Sequence, residues 1–142
     1  MITSIIFSKD RPLQLDLCLR SIKENIPDST QNIVIHNNSE EFDGAYNTLK
    51  TEHPNVEFWP QSISLFKDIY HAAQAAQNNY ICFFTDDIIC FRPMGNIDYD
   101  ILRDPRMSCI SLRMGTNITE RSCDGQVYID VPPEVFPFGD NM

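Results

Sequence analysis

Tyr80-Ile81-Cys82-Phe83-Phe84-Thr85-Asp86-Asp87 is the stretch that decides the fold. It is apolar without alternation up to Thr85 and then ends on two carboxylates. A strand with one wet face alternates apolar and polar residues. One that does not alternate is expected to be covered on both faces, as in a parallel sheet flanked by helices. The run predicts an internal strand over 80–85, with Asp86 and Asp87 leaving it at its carboxyl end.

Working back toward the N-terminus, the same pattern repeats. Residues 2–8 form a run rich in β-branched types, stopped by Lys9-Asp10-Arg11-Pro12. Pro12 suits the first turn of a helix, and Leu15, Leu19 and Ile22 fall at i, i+4 and i+7 on one helical face before Pro27. Residues 32–36 predict a second strand, ended by Asn37-Asn38-Ser39, and residues 43–52 a helix with Ala45 and Leu49 four apart. Val56 to Trp59 predict a third strand, stopped by Pro60. A helix follows over 64–78, with Ser64 as N-cap and Leu65, Ile69, Ala72, Ala73 and Ala76 on its core face. The order β-α-β-α-β-α-β predicts a mainly parallel, doubly wound sheet with helices on both faces, in three layers. Beyond Pro93 the pattern weakens. Residues 107–113 suggest a fifth strand and 127–131 a sixth, and Pro132, Pro133 and Pro137 make the tail irregular.

The 142 residues suit a single domain, 1–142, with an ordinary globular balance of 42% hydrophobic and 22% charged residues. No apolar run is long enough to span a bilayer, and Met1 to Phe7 lacks the features of a signal peptide, so a cytoplasmic protein is expected. A net charge of −9 argues against a nucleic-acid partner, because phosphate backbones need a basic surface. It also means that an anionic ligand needs a local cation. The cysteines Cys18, Cys82, Cys90, Cys109 and Cys123 are odd in number and lack C-x-x-C spacing, so free thiols are expected. The histidines His36, His53 and His71 lack zinc spacing with any cysteine and are expected to be structural or at the surface.

In open parallel sheets ligands bind beyond the carboxyl ends of the strands. Three such ends are polar here: Ser8 to Arg11, His36 to Ser39, and Thr85 to Asp87. Adjacent carboxylates at a buried strand's end repel each other unless a hard cation such as Mg²⁺ or Mn²⁺ joins them, or one of them caps backbone N–H groups in a turn. Neither a dinucleotide-binding nor a P-loop glycine pattern occurs.

Taken together, these residues resemble family 2 glycosyltransferases of the GT-A fold, a Rossmann-like nucleotide-sugar architecture. The likeness covers roughly residues 2–93. It is carried by Ile5 to Pro12, a strand with a "DRP" turn, by Leu15 with Cys18-Leu19-Arg20-Ser21-Ile22, by His36-Asn37-Asn38-Ser39, and by Tyr80 to Asp87 with Arg92-Pro93. The last stretch stands where the family has its D-x-D motif, with Thr85 in place of the first Asp. Asn37 replaces a base-reading Asp, and Lys67 is the nearest cation in the helix before the D-x-D-like strand.

The resemblance implies a metal-dependent, inverting transfer of a sugar from a nucleoside-diphosphate sugar to a glycan, lipid or protein acceptor. It implies that Asp87 holds Mn²⁺ or Mg²⁺. It also implies that Phe7, Ser8, Lys9, Asp10, Arg11, Asn37, Asn38, Lys67, Thr85 and Asp86 line the nucleotide site. A carboxylate among Asp124, Asp130, Glu134 and Asp140 would take the acceptor proton, with Asp140 favoured because its Gly-Asp follows an aromatic loop. The rival expectations are a non-catalytic domain that binds a nucleotide or a partner protein, and a sugar nucleotidyltransferase.

Overall fold

A computed structural model describes residues 1–94, Arg103, and the strand backbones of 120–123 and 126–129. The chain divides into two compact units, Met1–Asn96 and Ile97–Met142. The first is an α/β unit in which β1 (Ile2–Lys9), α1 (Pro12–Asn25), β2 (Ser29–Asn37), α2 (Asp43–Glu52), β3 (Val56–Pro60), α3 (Leu65–Ala75) and β4 (Tyr80–Thr85) follow in order. Its four strands lie in the order β3-β2-β1-β4, all parallel. In the second unit β5 (Glu120–Cys123) and β6 (Gln126–Ile129) pair antiparallel. A strand was expected at 127–131 but none at 120–123. Asp124-Gly125, which separates the two in sequence, is a dipeptide favoured in two-residue hairpins. The strand expected at 107–113 lies outside the described residues.

Local chemistry accounts for each element of the first unit. Pro12 opens α1, and Leu15, Cys18, Leu19 and Ile22 form its buried stripe at the i, i+3, i+4, i+7 spacing. Leu13 and Leu17 face water. The helix stops at Ile26, ahead of Pro27, which disfavours helical backbone in the residue before it. The Ser64 side chain accepts from the Lys67 N–H to cap α3. Successive strand residues then serve opposite faces. Ile6, Val34 and Phe84 pack with Leu15, Leu19, Ile22, Tyr46 and Leu49 of α1 and α2. Ile5, Ile33 and Ile35 pack with Ala72 and Ile69 of α3.

One expectation is not met among the described residues, where β4 is not internal but ends the sheet beside β1. Phe84 is buried, but Phe83 on the opposite face is 53% exposed. The physical reason is lateral. The α3 side chains cover the centre of the sheet over β1 and β2, and Phe83 finds its main apolar neighbour in Phe7, whose ring stacks on it at 6.1 Å. Among the described residues the unbroken apolar run serves one buried face and one ring stack.

Among the described residues no helix is long and apolar enough to cross a membrane. Cys18, Cys82 and Cys90 are free thiols.

Candidate functional site

The sheet grows from β1 through β2 to β3 on one side and to β4 on the other, so the strand order reverses between β1 and β4. A crevice opens beyond the carboxyl ends of two strands where a parallel sheet reverses in this way. Here it is a cleft of about 420 Å³. Its polar wall is Lys9, Arg11, Thr85, Asp86 and Asp87, and its apolar floor is Phe7, Ile35 and Leu65, with Ser8 and Gln61 between.

Backbone pairing sets the polar wall. The Asp86 N–H donates to the Phe7 carbonyl at 3.0 Å, which carries the β1–β4 ladder one residue past Thr85. The Asp86 carboxylate, 5% exposed, then accepts from the Lys9 N–H at 3.3 Å. Asp87 turns outward, and its Oδ1 accepts from the Thr85 hydroxyl. One nitrogen of Arg11, Nη1, lies 3.6 Å from Asp86 and 3.9 Å from Asp87, so both carboxylates converge on a single point of positive charge. Below them the Cys18 thiol faces the Thr85 carbonyl. Burial, aided by the charges of Cys90, Asp86 and Asp87, pushes it up to about 12, so it is an apolar support and not a nucleophile.

The neighbouring strand end is tied down differently. Asp10 takes a positive φ of 52°, a conformation Asp tolerates better than most residues, and this turns its carboxylate to the Ser39 N–H at 2.7 Å and the Ser39 hydroxyl at 3.1 Å. Asn38 accepts from His36 Nδ1 and donates to the Asp43 carboxylate. His36 stacks on Tyr46 at 5.0 Å, and the Tyr46 hydroxyl bonds Ser8 Oγ at 2.6 Å. With Nδ1 committed as the donor, Nε2 of His36 is a buried atom without a partner among the described residues. Burial holds this imidazole below its ordinary 6.5, against the opposing Asn38 hydrogen bond.

Of the residues expected at the nucleotide and metal sites, Phe7, Ser8, Lys9, Arg11, Thr85, Asp86 and Asp87 line one cleft. Asp10 and Asn38 instead brace the loops around it. Asn37 lies exposed at the end of β2, where its carbonyl accepts from the Asp10 N–H, and Lys67 is exposed in the first turn of α3. Asp140, Asp124, Asp130 and Glu134 lie outside the described residues. Gln61 was not anticipated. Its N–H donates to the His36 carbonyl at 2.7 Å, which brings it to the rim just past Pro60, and a polar residue directly after the third strand was the available signal.

The carboxylate pair fits a hard divalent cation. Its donors are oxygens, they already converge on a cation, and Mg²⁺ or Mn²⁺ usually completes its shell with water and phosphate oxygens. A second group also has metal-like spacing. The ligand atoms of Asp16, Glu52 and His53 lie within 4.8 Å of one another. Arg20 already bridges both carboxylates there at 2.9 Å, and His53 bonds Asp16 at 2.8 Å, so the group is an ionic clasp between α1 and the end of α2. Burial raises the Asp16 carboxyl, but the hydrogen bonds from Arg20 and His53 outweigh it and leave it below the usual carboxylate range.

Comparison with protein-family models, with curated proteins and with solved structures gives no match.

Proposed function

We propose that this chain is a Rossmann-like, three-layered domain of the GT-A type. In this reading it binds a nucleoside-diphosphate sugar in the β1–β4 cleft and passes the sugar to an acceptor hydroxyl. The observation that carries the reading is the pairing of a buried Asp86 with an exposed Asp87 where the strand order reverses, both aimed at one cation. The apolar floor of Phe7, Ile35 and Leu65 suits the face of a nucleobase, and Ser8 and Gln61 offer hydrogen bonds at its edge. Lys9 and Arg11 supply positive charge for the diphosphate in a chain of net charge −9. Asp87, with Asp86 beside it, would hold Mn²⁺ or Mg²⁺, and such an ion neutralises a departing diphosphate as a Lewis acid. Asp140 is the proposed acceptor base, and inversion at the anomeric carbon is the proposed outcome.

A second reading is favoured by one observation. Among the described residues, Asp86 and Asp87 are the carboxylates that line the cleft. If both serve the cation, neither is left to deprotonate an acceptor, and the domain would bind a nucleotide or a partner protein without catalysis. A thermal-shift screen of nucleotide sugars with Mn²⁺ tests both. Ligand at a hundred times its Kd adds about 2.7 kcal/mol, several degrees in Tm for a domain of this size. Stabilisation with slow hydrolysis of the donor supports transfer, and stabilisation without hydrolysis supports the binding domain. No shift with any nucleotide sugar overturns the nucleotide reading.

A further inference from the structure

Two arginines of the first unit bridge pairs of carboxylates, and they do so in different ways. Arg20 is fully committed, with Nε at 2.9 Å from both oxygens of Asp16 and Nη2 at 2.9 Å from Glu52. Arg11 makes only long contacts through one nitrogen, at 3.6 Å and 3.9 Å, and its side chain is 53% exposed. Its backbone, by contrast, is held. The Leu15 N–H donates to the Arg11 carbonyl at 3.0 Å, the Tyr46 hydroxyl accepts from the Arg11 N–H at 3.4 Å, and Asp10 beside it is fixed on Ser39. A loosely bound guanidinium on a fixed base can pivot about its own side chain with no change in the fold.

We infer that Arg11 is the cleft's own counter-ion and competes directly with a divalent cation for Asp86 and Asp87. This rests on the reading that the carboxylate pair takes a cation together with a diphosphate. Arg11 already stands against Asp86 and Asp87 at 3.6 and 3.9 Å, so a doubly charged ion entering alone meets a guanidinium close to its own ligands. A like charge at that distance is unfavourable, though less so at a half-exposed guanidinium than in a dry interior. A diphosphate changes the balance. It adds negative charge and offers oxygens that the planar guanidinium fork can bind in pairs. Arg11 then gains a partner as it leaves the carboxylates, and the cation gains phosphate oxygens as ligands. Cation and diphosphate therefore bind cooperatively, and linkage makes the coupling reciprocal. The role assigned to Arg11 is to prevent the metal from binding without its substrate.

The test is a titration of the whole chain with Mn²⁺ alone, read from the EPR signal of the free ion, on wild type, Arg11→Gln and Arg11→Lys. Arg11→Gln is expected to bind Mn²⁺ about tenfold more tightly than wild type, a coupling of ordinary size. Arg11→Lys, which keeps the charge without the fork, should fall between them. The added affinity must disappear in the double variant Arg11→Gln/Asp87→Asn. If Arg11→Gln binds Mn²⁺ no better than wild type, or if the added affinity survives the double substitution, Arg11 is not the competitor. A second arm repeats the titrations with UDP, corrected by a protein-free titration. UDP should tighten Mn²⁺ binding in wild type more than in Arg11→Gln. An absence of any UDP effect on either protein counts against the nucleotide reading, while the Mn²⁺-alone comparison decides the role of Arg11.

Discussion

The two ends of the parallel sheet use polar residues in opposite ways. At the amino end, the buried Thr3 and Gln31 are satisfied by each other and by half-buried or exposed neighbours. Thr3 Oγ1 bonds Gln31 Oε1 at 2.9 Å, Gln31 Nε2 reaches Glu57 at 2.9 Å, and the Gln77 N–H donates to Gln31 Oε1 at 2.8 Å. Asn78 closes the network on the Ile2 carbonyl at 3.0 Å. At the carboxyl end the residues that brace the loops are held just as tightly, Asp10 on the Ser39 N–H at 2.7 Å and Tyr46 on Ser8 at 2.6 Å, whereas the contacts of Arg11 with Asp86 and Asp87 in the cleft are long. Among the described residues His36 leaves a buried nitrogen without a partner there. A polar network that satisfies itself belongs to the fold. One that is only loosely closed keeps capacity for a ligand. The contrast sets a closed amino-end network apart from the long Arg11 contacts of the cleft, where the proposed ligand would bind.

The sharpest way to break this contrast is at the amino end. Gln31→Ala removes the acceptor of the buried Thr3 hydroxyl and of the Gln77 N–H, although Thr3 Oγ1 still accepts from Asn78, and should lower stability by about 1 kcal/mol or more, the scale of lost buried hydrogen bonds. Urea unfolding measures this, and the response to nucleotide should be unchanged in the folded variant.

The next effect is one of pH. Because the folded protein holds His36 below its ordinary 6.5, the unfolded chain takes up this proton first as pH falls. The stability contribution is present above that value and is lost as pH drops through it toward the lowered folded value. The slope is at most about 1.4 kcal/mol per pH unit for one proton. Urea midpoints between pH 7 and 5 should fall in wild type and flatten in His36→Asn.

The smallest effect on stability belongs to Asp86→Asn, whose effect on metal-dependent binding should also be smaller than that of Asp87→Asn. The amide oxygen can still accept from the Lys9 N–H, and Arg11 is exposed enough to be hydrated. Stability should change by less than about 1 kcal/mol, while Mn²⁺-dependent nucleotide binding weakens. A large loss of stability in this variant would erase the difference between the two ends.

Much of the first unit was legible in sequence because it depends on short-range chemistry. Pro12 with the Leu15, Leu19, Ile22 spacing marked α1, Ser64 marked the start of α3, and the Tyr80–Thr85 bounds of β4 were read as they stand. The carboxylate pair was visible because Asp86 and Asp87 directly follow an apolar strand. That β4 ends the sheet among the described residues was not visible, since the Phe7–Phe83 stack and the placement of α3 over Ile5, Ile33 and Ile35 are tertiary facts. Nor does sequence separate the polar residues that face a cleft from those that brace it. Ser8 and Asp10 are two apart, yet the positive φ of Asp10 sends its carboxylate to Ser39 and away from the cleft wall. The Asp16–His53 contact joins residues far apart in the chain, and no local pattern announces it.

The central claim is that the carboxyl end of β1 and β4 binds a diphosphate through a cation held at Asp87. Calorimetric titration of UDP or GDP into wild type and Asp87→Asn, each with and without Mn²⁺, tests it most directly. The account predicts Mn²⁺-dependent binding in wild type that becomes weak and metal-independent in Asp87→Asn, with both proteins equally folded. Equal, metal-independent binding in the two proteins, or no binding in wild type, would contradict it.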